Sequence, residues 1–107
     1  MAEFRKTSYR FARSNSTGHP VIVVGESKDE LLVIPTTTKK IPGKGRYERF
    51  RINFNSNSKD DNYWQRRVQP QSKKMINDYS TWSLDKEDKE KIDAFVKDNS
   101  RSKKLLG

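Results

Sequence analysis

Two apolar runs lie close together in this chain, PVIVV at 20–24 and LLVIP at 31–35, and the residues between them are one glycine and five polar side chains. Valine and isoleucine favour strands because a branched Cβ packs well on a pleated surface. Runs this short and this continuous read as strands buried on both faces. GESKDE at 25–30 is a turn, with Gly25 able to take a positive φ, so the two runs form a β-hairpin. Pro20 fixes the backbone ahead of the first strand, and Pro35 closes the second because proline cannot donate to a ladder. Only 31% of the 107 residues are hydrophobic and 35% are charged, so this hairpin has to anchor a small core. The length fits one domain, which on folding removes about two-thirds of its surface from water.

Around the hairpin the elements are short. Residues 1–17 read as an arm or edge strand, with Tyr9 and Phe11 two apart as on one strand face. Thr36, Thr37 and Thr38 and the PGKG turn at 42–45 lead into RYERFRINF at 46–54. There Phe50, Ile52 and Phe54 alternate with Arg49, Arg51 and Asn53, the pattern of a strand with one basic, exposed face. NSNSKDDN at 55–62 is a loop by composition, and YWQRRV at 63–68 is a further strand bounded by Pro70. A strand or turn follows at 71–79. Ser83 or Asp85 can cap a helix over 86–98, whose apolar positions Ile92, Phe95 and Val96 are three and four apart, with Leu84 stapling its start. Residues 99–107 read as a flexible basic tail. The expected fold is mainly β, a small strongly bent barrel over 18–98 with SH3-like or OB-like closure and a C-terminal α-helix.

Charge narrows the function. The net charge is +9, from 23 Lys and Arg against 14 Asp and Glu. Lys39, Lys40, Lys44, Arg46, Arg49 and Arg51 fall within 39–51 against Glu48 alone, and Arg66, Arg67, Lys73 and Lys74 form a second cluster. Residues 85–98 are by contrast nearly balanced, with six acids and four lysines. Positive charge concentrated in the middle of a chain points to a face for a polyanion. Tyr47 and Phe50 interleave with the arginines and can stack on bases. Tyr63, Trp64 and Trp82 read most simply as core.

Other classes are excluded or weakly supported. Without cysteine there are no disulfides or thiolate metal sites, which agrees with a reducing, cytoplasmic setting. No run approaches the roughly 20 apolar residues of a membrane span, and the N-terminus lacks the apolar stretch of a secretory signal. One histidine cannot supply the usual zinc sets, and Asp60 and Asp61 read as turn formers. PGKG is too short for a phosphate-cradling loop, so no cofactor is expected.

What remains is metal-free chemistry on a phosphodiester. RNA carries its own nucleophile, the 2′-hydroxyl, so an enzyme needs a proton acceptor, a proton donor and positive charge on the phosphate. Histidine suits proton transfer near neutrality, and arginine suits the phosphate through its planar fork. His19, in STGHPVIVV, stands directly before the first strand, where it can serve that chemistry or simply mark the passage from loop to strand.

The order GHPVIVV, polar turn, VIPTTTKK, basic strand and closing WSLDKEDKEKIDAFVKD helix resembles that of the PemK/MazF family of toxin endoribonucleases over residues 18–98. The resemblance is one of order and spacing. It implies an SH3-like barrel, usually dimeric, that cuts single-stranded RNA without metal and is neutralised by an acidic antitoxin. It sets His19 where the family has its catalytic arginine and Thr37, or Thr36 by a one-residue shift, at the catalytic threonine. Arg67 would stand near the basic residue of the later strand. Arg13, or an arginine from 46–51, would then supply the permanent charge that histidine lacks, and Lys39, Lys40, Arg46, Arg49, Arg51, Arg66 and Arg67 the RNA contacts. Two other readings stay open: a non-catalytic nucleic-acid-binding accessory protein of a mobile element, and a basic interaction module for an acidic protein partner.

Overall fold

The computed structural model describes residues 3–15, 18–37, 46–50, 62–78 and 83–106. The apolar hairpin is its centre. Strands β2 (Pro20–Glu26) and β3 (Glu30–Thr37) pair antiparallel, with Val21 opposite Pro35 and Val23 opposite Val33. Each residue of 21–24 and 31–34 is at most 4% exposed, so both faces are covered as the continuous pattern predicts.

Strand β1 (Arg5–Ser14) flanks β2, β4 (Tyr47–Phe50) pairs with β5 (Asn62–Gln65), and β6 (Gln69–Ser72) and β7 (Ile76–Asp78) complete a seven-stranded antiparallel sheet. Its order is β4-β5-β3-β2-β1-β7, with β6 also on β3. The free side of β3 is shared: Glu30–Val33 pairs with β6 and Thr36–Thr37 with β5. The first stretch of the chain is an edge strand over part of its length: β7 pairs with Ala12–Ser14, and no strand among the described residues pairs with the far side of Arg5–Phe11. Ten residues long, β1 lies between β2 and β7 and buries Phe11 and Ala12.

One short connection shows how strongly the sheet coils. A single 3-10 turn, Lys73–Met75, carries the chain from β6 to β7. At its start the Lys73 N–H donates to Asp29 O at 3.0 Å, and at its end Asn15 N–H donates to Met75 O at 2.8 Å. Asp29 precedes β3 and Asn15 follows β1, so these are diagonally opposite corners of the three-strand unit. On a flat sheet they would be about 20 Å apart, whereas three residues of 3-10 helix span about 6 Å. The sheet must curl to bring them together. On the face away from the helix-bearing core it packs Ala12, Val21, Val23, Leu31 and Val33, with Ile76 against them. The hydrogen-bonded ladder nevertheless stays open, because no pairing among the described residues joins β4 or β6 to β7.

The other face carries the larger core, Phe4, Phe11, Ile22, Val24, Leu32, Ile34, Phe50, Trp64 and Val68, covered by Leu84 and by Ile92, Phe95 and Val96 of helix α1 (Lys86–Asp98). Asp85 caps α1 by accepting from Asp88 N–H at 2.9 Å. The tail does not fray at once. Asn99 caps a second helix, α2 (Ser100–Leu106), by accepting from Ser102 N–H at 3.0 Å. The Leu105 carbonyl accepts from Phe4 N–H at 2.9 Å, and Leu105 and Leu106 pack on the core. No helix among the described residues is long and apolar enough to cross a membrane.

Candidate nucleic-acid interface

The GHP motif is a β-bulge. Gly18 has φ 73°, and its N–H donates to Ser14 O at 2.8 Å, while Ser14 N–H donates to His19 O at 3.1 Å. Two residues, Gly18 and His19, thus face Ser14, with glycine in the left-handed position that such a bulge requires. The exposed His19 stays in the ladder at the start of β2 rather than swinging away with the turn.

From this point the register builds a row across the sheet. The last pair of β2 and β3 is Val21–Pro35; His19 and Thr37 each lie two residues beyond it along their own segments. Thr37 is opposite Tyr63, and Tyr63 is opposite Arg49. Directly opposed residues in an antiparallel pair share a face, with Cβ atoms about 5 Å apart. Thr37, Tyr63 and Arg49 therefore line one face in sequence, on the side away from α1, with His19 just before β2. His19 and Arg49 are exposed, and Thr37 and Tyr63 are half-buried. Tyr47 and Gln65, opposed to each other, extend this face, and Arg67 Nε donates to Gln65 Oε1 at 2.7 Å. The row sets a hydroxyl, a phenol and a guanidinium side by side on β3, β5 and β4.

The adjacent row does something different. Thr36 is 6% exposed, and its hydroxyl donates to Pro20 O at 2.5 Å. It is committed to holding β3 on β2, which leaves Thr37 as the threonine on the outer row.

Several other residues expected at the site lie elsewhere. Arg13 is opposite Pro20 and alternates with buried Ala12 and Ser14, so it belongs to the other face of the sheet from Thr37. Arg46 and Arg66 are on the α1 side, where they line a cavity of about 400 Å³ with Phe95, Asp98, Asn99 and Ser100. Arg66 Nη1 pairs with Glu48 Oε1 at 3.2 Å, and its guanidinium stands 5.3 Å from the Phe95 ring centre. One-dimensional clustering misgrouped these arginines, because neighbouring strand residues point to opposite faces. Phe50 is core at 4% exposure and cannot stack on a ligand. Thr38, Lys39, Lys40, Lys44, the PGKG turn, Arg51, Ile52, Asn53, Phe54, Asp60, Asp61 and Trp82 lie outside the described residues. Tyr63, expected in the core, is the residue whose place in the row the sequence pattern missed. Its alternation with buried Trp64 was the available signal.

The strongest electrostatic node is distant from this row. Asp93 of α1 accepts from Lys6 Nζ and Tyr9 Oη, both at 2.6 Å, and pairs with Lys97 at 2.9 Å. Hydrogen bonds from Lys6, then Tyr9 and Lys97, hold its carboxyl well below the usual range, while burial, and then the Asp93 carboxylate, push the Tyr9 phenol up. This node fastens α1 to β1.

Comparisons with protein-family models, with curated proteins and with solved structures give no match.

Proposed function

We propose that this chain binds single-stranded RNA at His19 and on the face carrying Thr37, Tyr63 and Arg49, and cleaves it without metal in the manner of a PemK/MazF-type toxin endoribonuclease. One observation supports the reading: Thr37, Tyr63 and Arg49 form one row across β3, β5 and β4, and His19 and Thr37 each stand two residues beyond the Val21–Pro35 pair. The two residues that the family resemblance singles out are 18 positions apart in the chain, and both flank the same end of the β2–β3 ladder.

In the proposed step the 2′-hydroxyl attacks its adjacent phosphorus and gives its proton to the His19 imidazole. The bond from phosphorus to the 5′-oxygen breaks, leaving a 2′,3′-cyclic phosphate on one product and, with a proton from water, a 5′-hydroxyl on the other. Arg49 and the Thr37 hydroxyl stabilise charge developing on the non-bridging oxygens. An SH3-like closure of the coiled sheet, a homodimer, an acidic antitoxin and a cytoplasmic setting belong to the same proposal.

The test is incubation of the purified chain with a long mixed-sequence RNA in EDTA, beside His19→Ala and Thr37→Ala. Discrete products ending in cyclic phosphate, made by the wild type and lost in both variants, support the reading. RNA that is bound but left intact replaces it with a non-catalytic RNA-binding protein.

A further inference from the structure

We propose that Tyr47, Gln65 and Tyr63 form a platform for two adjacent, unstacked bases of single-stranded RNA, with Arg49 on the phosphate between them. The proposal rests on the reading that this face takes RNA, and it names which part of the ligand each residue meets.

The β4–β5 ladder sets Tyr47 opposite Gln65 and Arg49 opposite Tyr63. Strand alternation puts all four on one face, and Glu48, Phe50 and Trp64 on the other, toward α1. On the outer face Tyr47 and Tyr63 are diagonal neighbours, about 7–8 Å apart, a separation that aromatic side chains can bridge. Both are half-buried, so each ring is seated on the sheet with part of its surface open. Aromatics on neighbouring strands of a sheet are a recurrent way to stack two or three splayed bases, and stacking accepts any base because every base has a π-face.

Gln65 stands beside both rings and adds a preference. Its Oε1 is taken by Arg67 Nε at 2.7 Å, so the amide presents its nitrogen outward. Two N–H donors there suit a base edge rich in acceptors, such as a pyrimidine carbonyl or a purine ring nitrogen. Arg49, exposed and opposite Tyr63, is placed for the backbone rather than for a base. A duplex does not fit, because stacked and paired bases cannot offer their faces to the tyrosines.

The experiment is a fluorescence-anisotropy titration with three fluorescent strands: a short single-stranded RNA, the same backbone with abasic sugars, and its duplex. The proteins are wild type, Tyr47→Leu, Tyr63→Leu, Tyr63→Phe, Gln65→Ala and Arg49→Ala. Leucine keeps apolar bulk on the sheet while removing the π-face, and the thermal midpoint of each variant verifies folding. The wild type should prefer the base-bearing single strand to the other two. Each leucine variant should lose about tenfold on that strand and little on the abasic one. Tyr63→Phe, which keeps the π-face, should recover the preference for the base-bearing strand that Tyr63→Leu loses, Gln65→Ala should reduce the preference among bases, and Arg49→Ala should weaken the abasic and base-bearing strands alike. Equal binding of these two strands by the wild type, or equal losses on them in the leucine variants, overturns the platform and leaves RNA binding standing. A wild type that binds none of the three strands overturns both.

Discussion

The Thr36 hydroxyl donates to the Pro20 carbonyl oxygen at 2.5 Å, tying the end of β3 to the start of β2, with His19 and Thr37 each next in sequence to one of the two bonded residues. Thr36→Val removes a buried donor and strands the acceptor, which should cost about 1–3 kcal/mol. Thr37→Val, at a half-buried neighbour on the outer row, should cost about 0.5 kcal/mol or less. Urea denaturation of the two variants measures this directly. On the proposed reading activity follows the opposite order, with Thr37→Val folded and unable to cleave RNA.

Asp93 predicts a pH dependence at both ends of the scale. Its folded-state pKa lies well below the ordinary aspartate value of 3.8, so the stability it supplies is present above that value and lost as pH falls below it. Tyr9 is raised above 10.0, so its contribution is present below pH 10 and lost as pH rises above it. Asp93→Asn should therefore flatten the fall in urea midpoint on acidification below about pH 4, and Tyr9→Phe the fall above about pH 10. A wild-type midpoint that does not decline at either extreme would remove this node as a source of stability.

Much of the fold is legible because local chemistry and global fold agree. Four β-branched residues in a row at 21–24 can be buried on both faces only in the middle of a sheet, and there they are. Asp85 before Ile92, Phe95 and Val96 is a helix start with its buried stripe. The misreadings have physical causes too. Alternating Tyr9 and Phe11 announce a strand, but nothing local says that β7 will return from residue 76 to pair with its end at Ala12–Ser14. The NSRSKKLLG tail looks frayed because its helix owes its place to Asn99 and to the packing of two leucines, which composition does not reveal. For the candidate site, residue types were readable and faces were not. Which of Arg13, Arg46, Arg49 and Arg66 accompanies Thr37 depends on strand register.

Gly25 and Leu106 couple the hairpin to the end of the chain. A Cβ at Gly25 would come within 2.8 Å of Leu106 Cδ2 and 3.3 Å of Arg5 O. Gly25→Ala should thus cost about 1–3 kcal/mol, chiefly by displacing α2. Leu106→Ala removes the closest of these atoms. In a double-mutant cycle the pair should cost less than the sum of the single changes, by 0.5 kcal/mol or more. Additive costs would mean that the Arg5 carbonyl and Leu32 Cβ, each 3.3 Å from such a Cβ, set the glycine requirement rather than Leu106.

Arg49 and Arg66 lie on opposite faces of the β4–β5 pair. Arg66 is held by Glu48 and lies against Phe95 on the α1 side, whereas Arg49 is exposed on the row with Thr37 and Tyr63. Arg49→Ala should weaken RNA binding and reduce the slope of log K against log salt by roughly one, as expected for a lost phosphate contact, with the thermal midpoint little changed. Arg66→Ala should leave that slope intact and lower stability modestly, because its ion pair is partly solvated and most of its worth is packing on the aromatic ring. Salt titrations of both variants on one RNA decide between them. A salt slope reduced by Arg66→Ala and untouched by Arg49→Ala would move the RNA face to the α1 side.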